Sequence, residues 1–407
     1  MSPIEEKFAQ LSTDHAPGQE LRQNPGNLEL LLRGEILSGT PVDFSHGDVN
    51  GSAFVPTPGS LQAFISGVER GGEQAYTEYR GAPELRDRLA GHLAAFTGEP
   101  LSGADELIIT PGTQSALFLA IAATVTVGDK VAIVRPDYFA NRKLVEFSGG
   151  KVVPIRLDYL DHSSSAGLDL NQLEDAFKGG VKTFLFSNPN NPTGVIYSKD
   201  EIGQIAALAN RYGATVIVDQ LYSRLVYTGM TYTHLRSSGI HSENVVTIMG
   251  PSKTESLSGY RLGVALGPKR LVDRMEKLQA IVSLRAPGYC QAVLRTWFEE
   301  PKGWMQERIA QHQAIRDDLF GLFGSVDGMA ARVPEAGSYL FPRLPAMSVS
   351  LHEFVRIVRH QAGVIVTPGT EFSPGAADSI RLNFSQNHAA AVQAVERTVQ
   401  LIDRYRG

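Results

Sequence analysis

Lys253 lies in the stretch "MGPSKTESLSGYRLG", between Ser252 and, eight residues on, Arg261. A lysine desolvated in a cleft loses basicity and becomes a nucleophile towards carbonyl carbon. A hydroxyl and a guanidinium beside it are suited to gripping a phosphate. Asp219 ends the apolar run "ATVIVD", where an unpaired carboxylate is costly to bury, so a cationic ring nitrogen is one partner it could face. Tyr222 follows three residues later and can reach the same place. In "TPGTQSA" a tight turn precedes a helical pattern, and the helix start would aim backbone N–H groups at an anion near Thr113 and Gln114. In "SNPNNPTG" the prolines and glycine fix a turn, but a turn alone does not explain Asn188, Asn190 and Asn191. Taken singly, each segment also has a plain reading: a solvated lysine, a helix-capping loop, a carboxylate in a salt bridge. Taken together, they offer partners for an aldehyde, a phosphate and a pyridinium nitrogen, which is what pyridoxal phosphate requires.

Such residues need a scaffold that gathers them. From residue 105 onward, short apolar runs alternate with helix-period segments: "ELIIT", "KVAIVRPD", "KVVPIRLD", "KTFLFSNPN", "ATVIVDQLY", "NVVTIMGPS" and "RLGVALGP" are strand candidates. Between them "SKDEIGQIAALANRYG" opens on a serine cap and closes on a glycine. Several runs are apolar throughout, as strands buried on both faces are. The expected fold class is α/β, a large domain with a mostly parallel sheet covered by helices on both faces. In such sheets ligands bind beyond the carboxyl ends of the strands, where the polar clusters fall. After about residue 290 the pattern changes to a long amphipathic helix, a hairpin-like stretch over 329–344, and then helix, strand, strand, helix, which predicts a smaller α+β domain. The expected division is an arm at 1–47 packing on the small domain, a large domain at 48–290 and a small domain at 291–407.

Composition narrows the function classes. The 407 residues carry a net charge of −5 with a pI near 6.1, which gives no support to a nucleic-acid or anionic-membrane partner. A single cysteine, Cys290, excludes an internal disulfide and a cysteine-built metal site and fits a reducing compartment. "MSPIEEKFAQ" lacks an apolar core, so no secretory leader is expected. The apolar stretch "ALFLAIAATVTV" is too short to span a bilayer. A cytoplasmic globular protein is the expectation.

The ordered motifs resemble the class I/II aminotransferase family of fold-type I pyridoxal-phosphate enzymes, which includes aspartate and aromatic transaminases. "YTEYRGAPELRDRLA" is similar to its Y-x-x-x-x-G-x-x-x-L-R segment, "NPNNPTG" to its asparagine loop and "DQLY" to its D-x-x-Y. "SKTESLSGYRLG" resembles its cofactor-lysine segment and "RLNFS" its carboxylate-binding arginine. The resemblance spans roughly residues 40 to 405. It implies that Lys253 forms a Schiff base with pyridoxal 5'-phosphate and that Asp219 holds the ring nitrogen protonated. It further implies that Asn191 and Tyr222 hydrogen-bond the ring oxygen, that Tyr138 stacks on the ring, and that Thr113, Gln114, Ser252 and Arg261 bind the phosphate. Tyr76 would reach a neighbouring subunit's phosphate, making a homodimer with shared sites. Arg381 would take the substrate carboxylate, with Gly47 against the substrate; Arg285 is a candidate for a second carboxylate or a structural cation. The implied activity is transfer of an amino group between an L-amino acid and a 2-oxo acid, the alternative being elimination, decarboxylation or oxidation at the same site. The chain departs from the family pattern at Gln220, Gly250, Tyr138 and "PEAGSYLF".

Overall fold

The computed structural model describes residues 2–13, 16, 28–46, 52–161 and 164–407. Its central sheet has seven strands: β1 (Leu107–Thr110), β2 (Lys130–Arg135), β3 (Lys151–Arg156), β4 (Thr183–Ser187), β5 (Thr215–Asp219), β6 (Val245–Met249) and β7 (Gly263–Leu266). Across the sheet they run β1-β7-β6-β5-β4-β2-β3. β7 is antiparallel to both of its neighbours, and the other pairings are parallel. Each segment expected as a strand of this sheet is one.

Alternation explains why the central strands are apolar throughout. Side chains point to opposite faces in turn. Phe184, Phe186, Val216 and Val218 pack on one face with Leu173 and Phe177 of α3 (Leu170–Lys178) and Ile202 and Ile205 of α4 (Lys199–Tyr212). Leu185, Ile217 and Ile248 pack on the other with Leu117 and Ile121 of α1 (Thr113–Thr124) and Met275 of α5 (Lys269–Val282). Burying each such side chain contributes about 1.5–3 kcal/mol, which is why helices must cover both faces. The edge strand β3 differs: it is half exposed and contains Pro154, which a strand paired on one side tolerates. Helix α4 begins as its sequence dictates, with a capping box between Ser198 and Glu201, and stops at the left-handed Gly213.

The C-terminal residues build a separate core from α6 (Trp304–Gly324), α7 (Leu351–Ala362) and α8 (His388–Tyr405). With them goes a three-stranded antiparallel sheet of β8 (Tyr339–Leu340), β9 (Thr367–Pro368) and β10 (Ile380–Asn383), β10 in the middle. The expected hairpin over 329–344 is reduced to a bridge between Ala330 and Arg343, and β8 pairs with β10 instead. The N-terminal arm divides. Leu28, Val42 and Phe44 join the C-terminal core, and Val42–Asp43 pairs with Val364–Ile365. The first helix, Pro3–Gln10, instead lies against α2 (Phe139–Phe147), with Lys7 Nζ 4.1 Å from the Phe147 ring centroid. No helix among the described residues is long and apolar enough to cross a membrane.

Candidate active site

The strand ends deliver the polar clusters to one edge of the sheet. β1 leads through Gly112 into α1, β2 into Asp137 and Tyr138, β4 into the asparagine loop, β5 into Tyr222 and β6 into Ser252 and Lys253. Because β7 runs the other way, it is its start that reaches this edge, bringing Arg261. The cleft they form has a volume of about 480 Å³. Thr113, Gln114, Tyr138, Asn191, Asp219, Tyr222, Ser252, Lys253, Arg261 and Arg381 all line it.

At one end the groups suit an anion. Gly112 caps α1 without a side chain, so the first-turn N–H groups have no side-chain acceptor. Arg261 sits in the left-handed region (φ 53°), a conformation that is costly for a side-chain residue. Its backbone N–H and its Nη1 both donate to Ser258 O, at 3.1 and 2.9 Å, which holds it there. Glycines make the approach possible. A Cβ at Gly112 would meet Arg261 Nη2 at 2.5 Å, and one at Gly263 would meet Thr113 N at 2.4 Å. A Cβ at Gly250 would meet Thr113 Cγ2 at 2.7 Å, which accounts for glycine where the family pattern has serine.

Asp219 lines the same cleft. Its carboxylate accepts from Leu221 N at 3.0 Å, and no basic side chain among the described residues lies within ion-pair distance. Burial pushes its carboxyl up from 3.8 to about 6, with that one backbone hydrogen bond opposing. A half-buried carboxylate with no cation beside it among the described residues fits a protonated ring nitrogen. The register of β4 and β5 sets Ser187 beside Asp219. Ser187 Oγ in turn donates to Asp137 at 2.6 Å, and Asp137 also accepts from Tyr138 N at 2.6 Å. Asp137 thereby fastens the end of β4 to the loop that presents Tyr138. Burial raises its carboxyl to about 7, with hydrogen bonds from Ser187 and Tyr138 opposing.

Arg381, on the same lining, is 1% exposed. Nη1 donates to Asn191 Oδ1 at 3.1 Å and Nη2 to Ser45 O at 2.7 Å, while Nε has no hydrogen-bond partner. No carboxylate among the described residues pairs with it. A buried, unpaired guanidinium fits a substrate carboxylate. With Asn191 Oδ1 accepting from Arg381, the amide NH2 of Asn191 is left to donate to a ligand.

The lysine loop is held from behind. Arg224, just after Tyr222, pairs with Glu255, two residues beyond Lys253, and with both oxygens of Glu300 at 2.8 and 2.9 Å. Trp297 Nε1 donates to Glu255 at 3.2 Å. This buried cluster ties the loop of Asp219 to the loop of Lys253. Gln220, which replaces a common glutamate, faces His234 Nδ1 at 3.0 Å; burial lowers that imidazole to about 4, so a neutral amide meets a neutral ring.

One expected residue lies outside this cleft. Tyr76 is 76% exposed and outside the cleft of its own chain, where Arg285 stacks on it at 4.7 Å and donates to Thr77 O. Gly47 and the expected domain start at 48 fall outside the described residues. Sequence reasoning missed Ser258, His46 and Tyr339, all of which line the cleft. Ser258 and Tyr339 lie within stretches already singled out, but nothing in their spacing marked them.

Taken as a set, the side chains fit pyridoxal phosphate: hydroxyls and Arg261 for the phosphate, Asp219 for the ring nitrogen, Lys253 for the aldehyde. Comparison with known proteins agrees. The family model described as aminotransferase class I and II matches residues 40–397. A crystal structure of an aspartate aminotransferase from Rhodobacter sphaeroides is 64% identical, covers 99% of this chain and 100% of its own, and superposes with a TM-score of 0.95. An aspartate aminotransferase of Sulfolobus acidocaldarius is 27% identical over 82% of this chain and 84% of its own length. An asparagine–oxo-acid transaminase of Streptococcus mutans is 27% identical over 86% of this chain and 89% of its own.

Proposed function

The chain belongs to the aminotransferase class I and II family, and on that premise we propose that this cleft transfers amino groups from L-amino acids, aspartate among them, to 2-oxo acids. Proteins of the family use pyridoxal phosphate, and amino-group transfer is this chain's activity; the elimination, decarboxylation and oxidation alternatives are not favoured. When bound, the cofactor supplies an aldehyde that links to amines and a ring that takes up electrons. The chain's residues do the rest. Thr113, Gln114, Ser252 and Arg261 anchor the phosphate, and Ser258 stands among them. Asp219 keeps a proton on the ring nitrogen. Tyr222 and Asn191 donate to the ring oxygen, and Tyr138 covers the ring. Lys253 takes and returns the proton at the substrate Cα. Arg381 binds the α-carboxylate.

The observation that carries this reading is that Asp219 and Arg381, neither of them ion-paired with a described residue, line one cleft together with Lys253. Aspartate as donor rests on the names of two of the relatives given above. A single-turnover panel of amino donors tests it, following the loss of the bound cofactor's aldehyde absorbance and the keto product formed. Run with Arg381→Lys, the same panel tests the carboxylate role. A lysine cannot pair with both carboxylate oxygens at once, so kcat/KM for amino acids falls about a hundredfold, while amines lacking a carboxylate lose far less. Equal, small losses with both substrate types would assign Arg381 to structure instead.

A homodimer with shared sites belongs to the same reading. Leu61, Val68, Tyr76, Ile281, Val282 and Leu284 are all exposed. The segments carrying them adjoin, since Gly67 lies against Tyr289 and Arg285 stacks on Tyr76. An apolar patch of this kind marks a protein interface. It would bring Tyr76 and Arg285 to a neighbouring cleft. Sedimentation at assay concentration gives a dimer on this reading; a fully active monomer contradicts it. The division into arm, cofactor domain to 290 and small domain from 291 is supported by the separate cores, and a cytoplasmic location by the single cysteine.

A further inference from the structure

Tyr222 follows β5 and Arg381 lies on β10, yet one residue touches both. Tyr339 of β8 is 3% exposed. Its hydroxyl is 2.6 Å from that of Tyr222, and the two rings meet edge to face at 5.3 Å. The Arg381 guanidinium lies over its ring at 4.2 Å, and Phe372 meets the same guanidinium at 4.6 Å. The antiparallel pairing of β8 and β10 sets Tyr339 opposite Asn383, two residues from Arg381.

A phenol has one hydrogen to donate and lone pairs to accept with. If Tyr222 donates its hydrogen to an acceptor in the cleft, the hydrogen in the 2.6 Å contact must come from Tyr339. Hydrogen bonds in a chain polarise one another, so a donor behind Tyr222 makes Tyr222 a stronger donor in front. The flat ring does separate work. A guanidinium held against an aromatic face keeps one plane, the plane in which it can meet a carboxylate with two parallel bonds.

We propose that Tyr339 is a positioning residue with two arms: its hydroxyl strengthens the hydrogen bond from Tyr222 to the cofactor's ring oxygen, and its ring fixes the plane of Arg381 for the substrate carboxylate. This rests on the roles given above to Tyr222 and Arg381. The two arms separate chemically. Negative charge on the ring oxygen helps to hold the proton on the nitrogen linked to Lys253, and a stronger donor at that oxygen weakens the hold. Loss of the Tyr339 hydroxyl therefore raises the pH at which that proton leaves. The charged and titratable groups around the pair are His46, Arg381, Tyr138, Asp219, Arg261 and Lys253, and none of them changes in the variants.

The test is a pH titration of the bound cofactor's visible absorbance in the holoenzyme, with KM for an amino-acid donor, for wild type, Tyr339→Phe, Tyr339→Leu and Tyr222→Phe. Tyr339→Phe keeps the ring, so it raises the titration midpoint by roughly half to one pH unit, the equivalent of one hydrogen bond. Its KM stays within about twofold, since the cation–π contact remains. Tyr339→Leu shows the same midpoint shift and a KM raised roughly tenfold. Tyr222→Phe moves the midpoint further in the same direction. A shift in Tyr222→Phe with none in Tyr339→Phe overturns the hydroxyl arm while leaving Tyr222 in place. Equal KM values for the Phe and Leu variants overturn the ring arm. No shift in either Phe variant overturns the hydroxyl arm together with the placement of Tyr222.

Discussion

Lys253→Ala is expected to abolish amino-group transfer, by at least roughly ten-thousandfold, while leaving the sheet and its core intact. Lys253 is the lysine among the residues lining the cleft, and it alone combines the nucleophile and the base that the reaction needs at one place. Its loop has anchors of its own. Leu257 N donates to Pro251 O at 3.2 Å, and the Arg224–Glu255–Glu300 cluster holds the segment from behind. Truncation therefore removes chemistry without removing the anchor, and the unfolding temperature should move little. The variant should still bind the cofactor through the phosphate and ring contacts, but without the borohydride-reducible linkage. Reduction of wild type followed by peptide mapping provides the positive control. A modified peptide containing another lysine, such as the buried Lys143 that pairs with Glu371 at 3.0 Å, would move the assignment.

The site's parts were legible in the sequence wherever local chemistry and strand ends coincide. Asp219 closes an apolar run, so its burial follows from the run; Lys253 follows another among glycine, proline and serine, so a loop at a strand end follows too. Ser198 and Gly213 announce both ends of α4 because capping is a local interaction. What stayed hidden depends on distant pairing. "RLGVALGP" does not reveal that β7 runs against its neighbours, although that reversal is what brings Arg261 to the phosphate end. The stretch around Tyr339 resembles a hairpin, but β8 finds its partner in β10, some forty residues along the chain. Nothing local in the sequence joins Asp137 to Ser187, which reaches it from another strand. Gly250 departs from the family pattern, and only the Thr113 methyl group packed against it explains why.

Asp219→Asn should cut turnover by roughly a thousandfold or more and at the same time stabilise the protein free of cofactor. The loss follows from the ring nitrogen: an amide cannot hold a proton there, so the ring no longer draws off the electrons released at Cα. The gain follows from burial. A carboxyl whose pKa rises from 3.8 to about 6 on folding binds protons more tightly in the folded state. Its charged form is therefore a cost to folding that is complete above about pH 6 and relieved as pH falls through 6 towards 3.8. The difference corresponds to on the order of 2–3 kcal/mol at neutral pH. Asparagine carries no charge and escapes that cost, so the cofactor-free variant should be more stable than wild type at pH 8 and show less gain on acidification through pH 6. Cofactor binding should run the opposite way. Protonation of wild-type Asp219 below about pH 6 competes with the ring nitrogen, so affinity weakens on acidification, and the variant should lack that part of the pH dependence. Denaturant unfolding of both cofactor-free proteins across this range reads the first effect, and absorbance titration with cofactor reads the second. Parallel stability curves with near wild-type turnover would show that Asp219 is an ordinary buried acid and that the ring nitrogen finds its partner elsewhere.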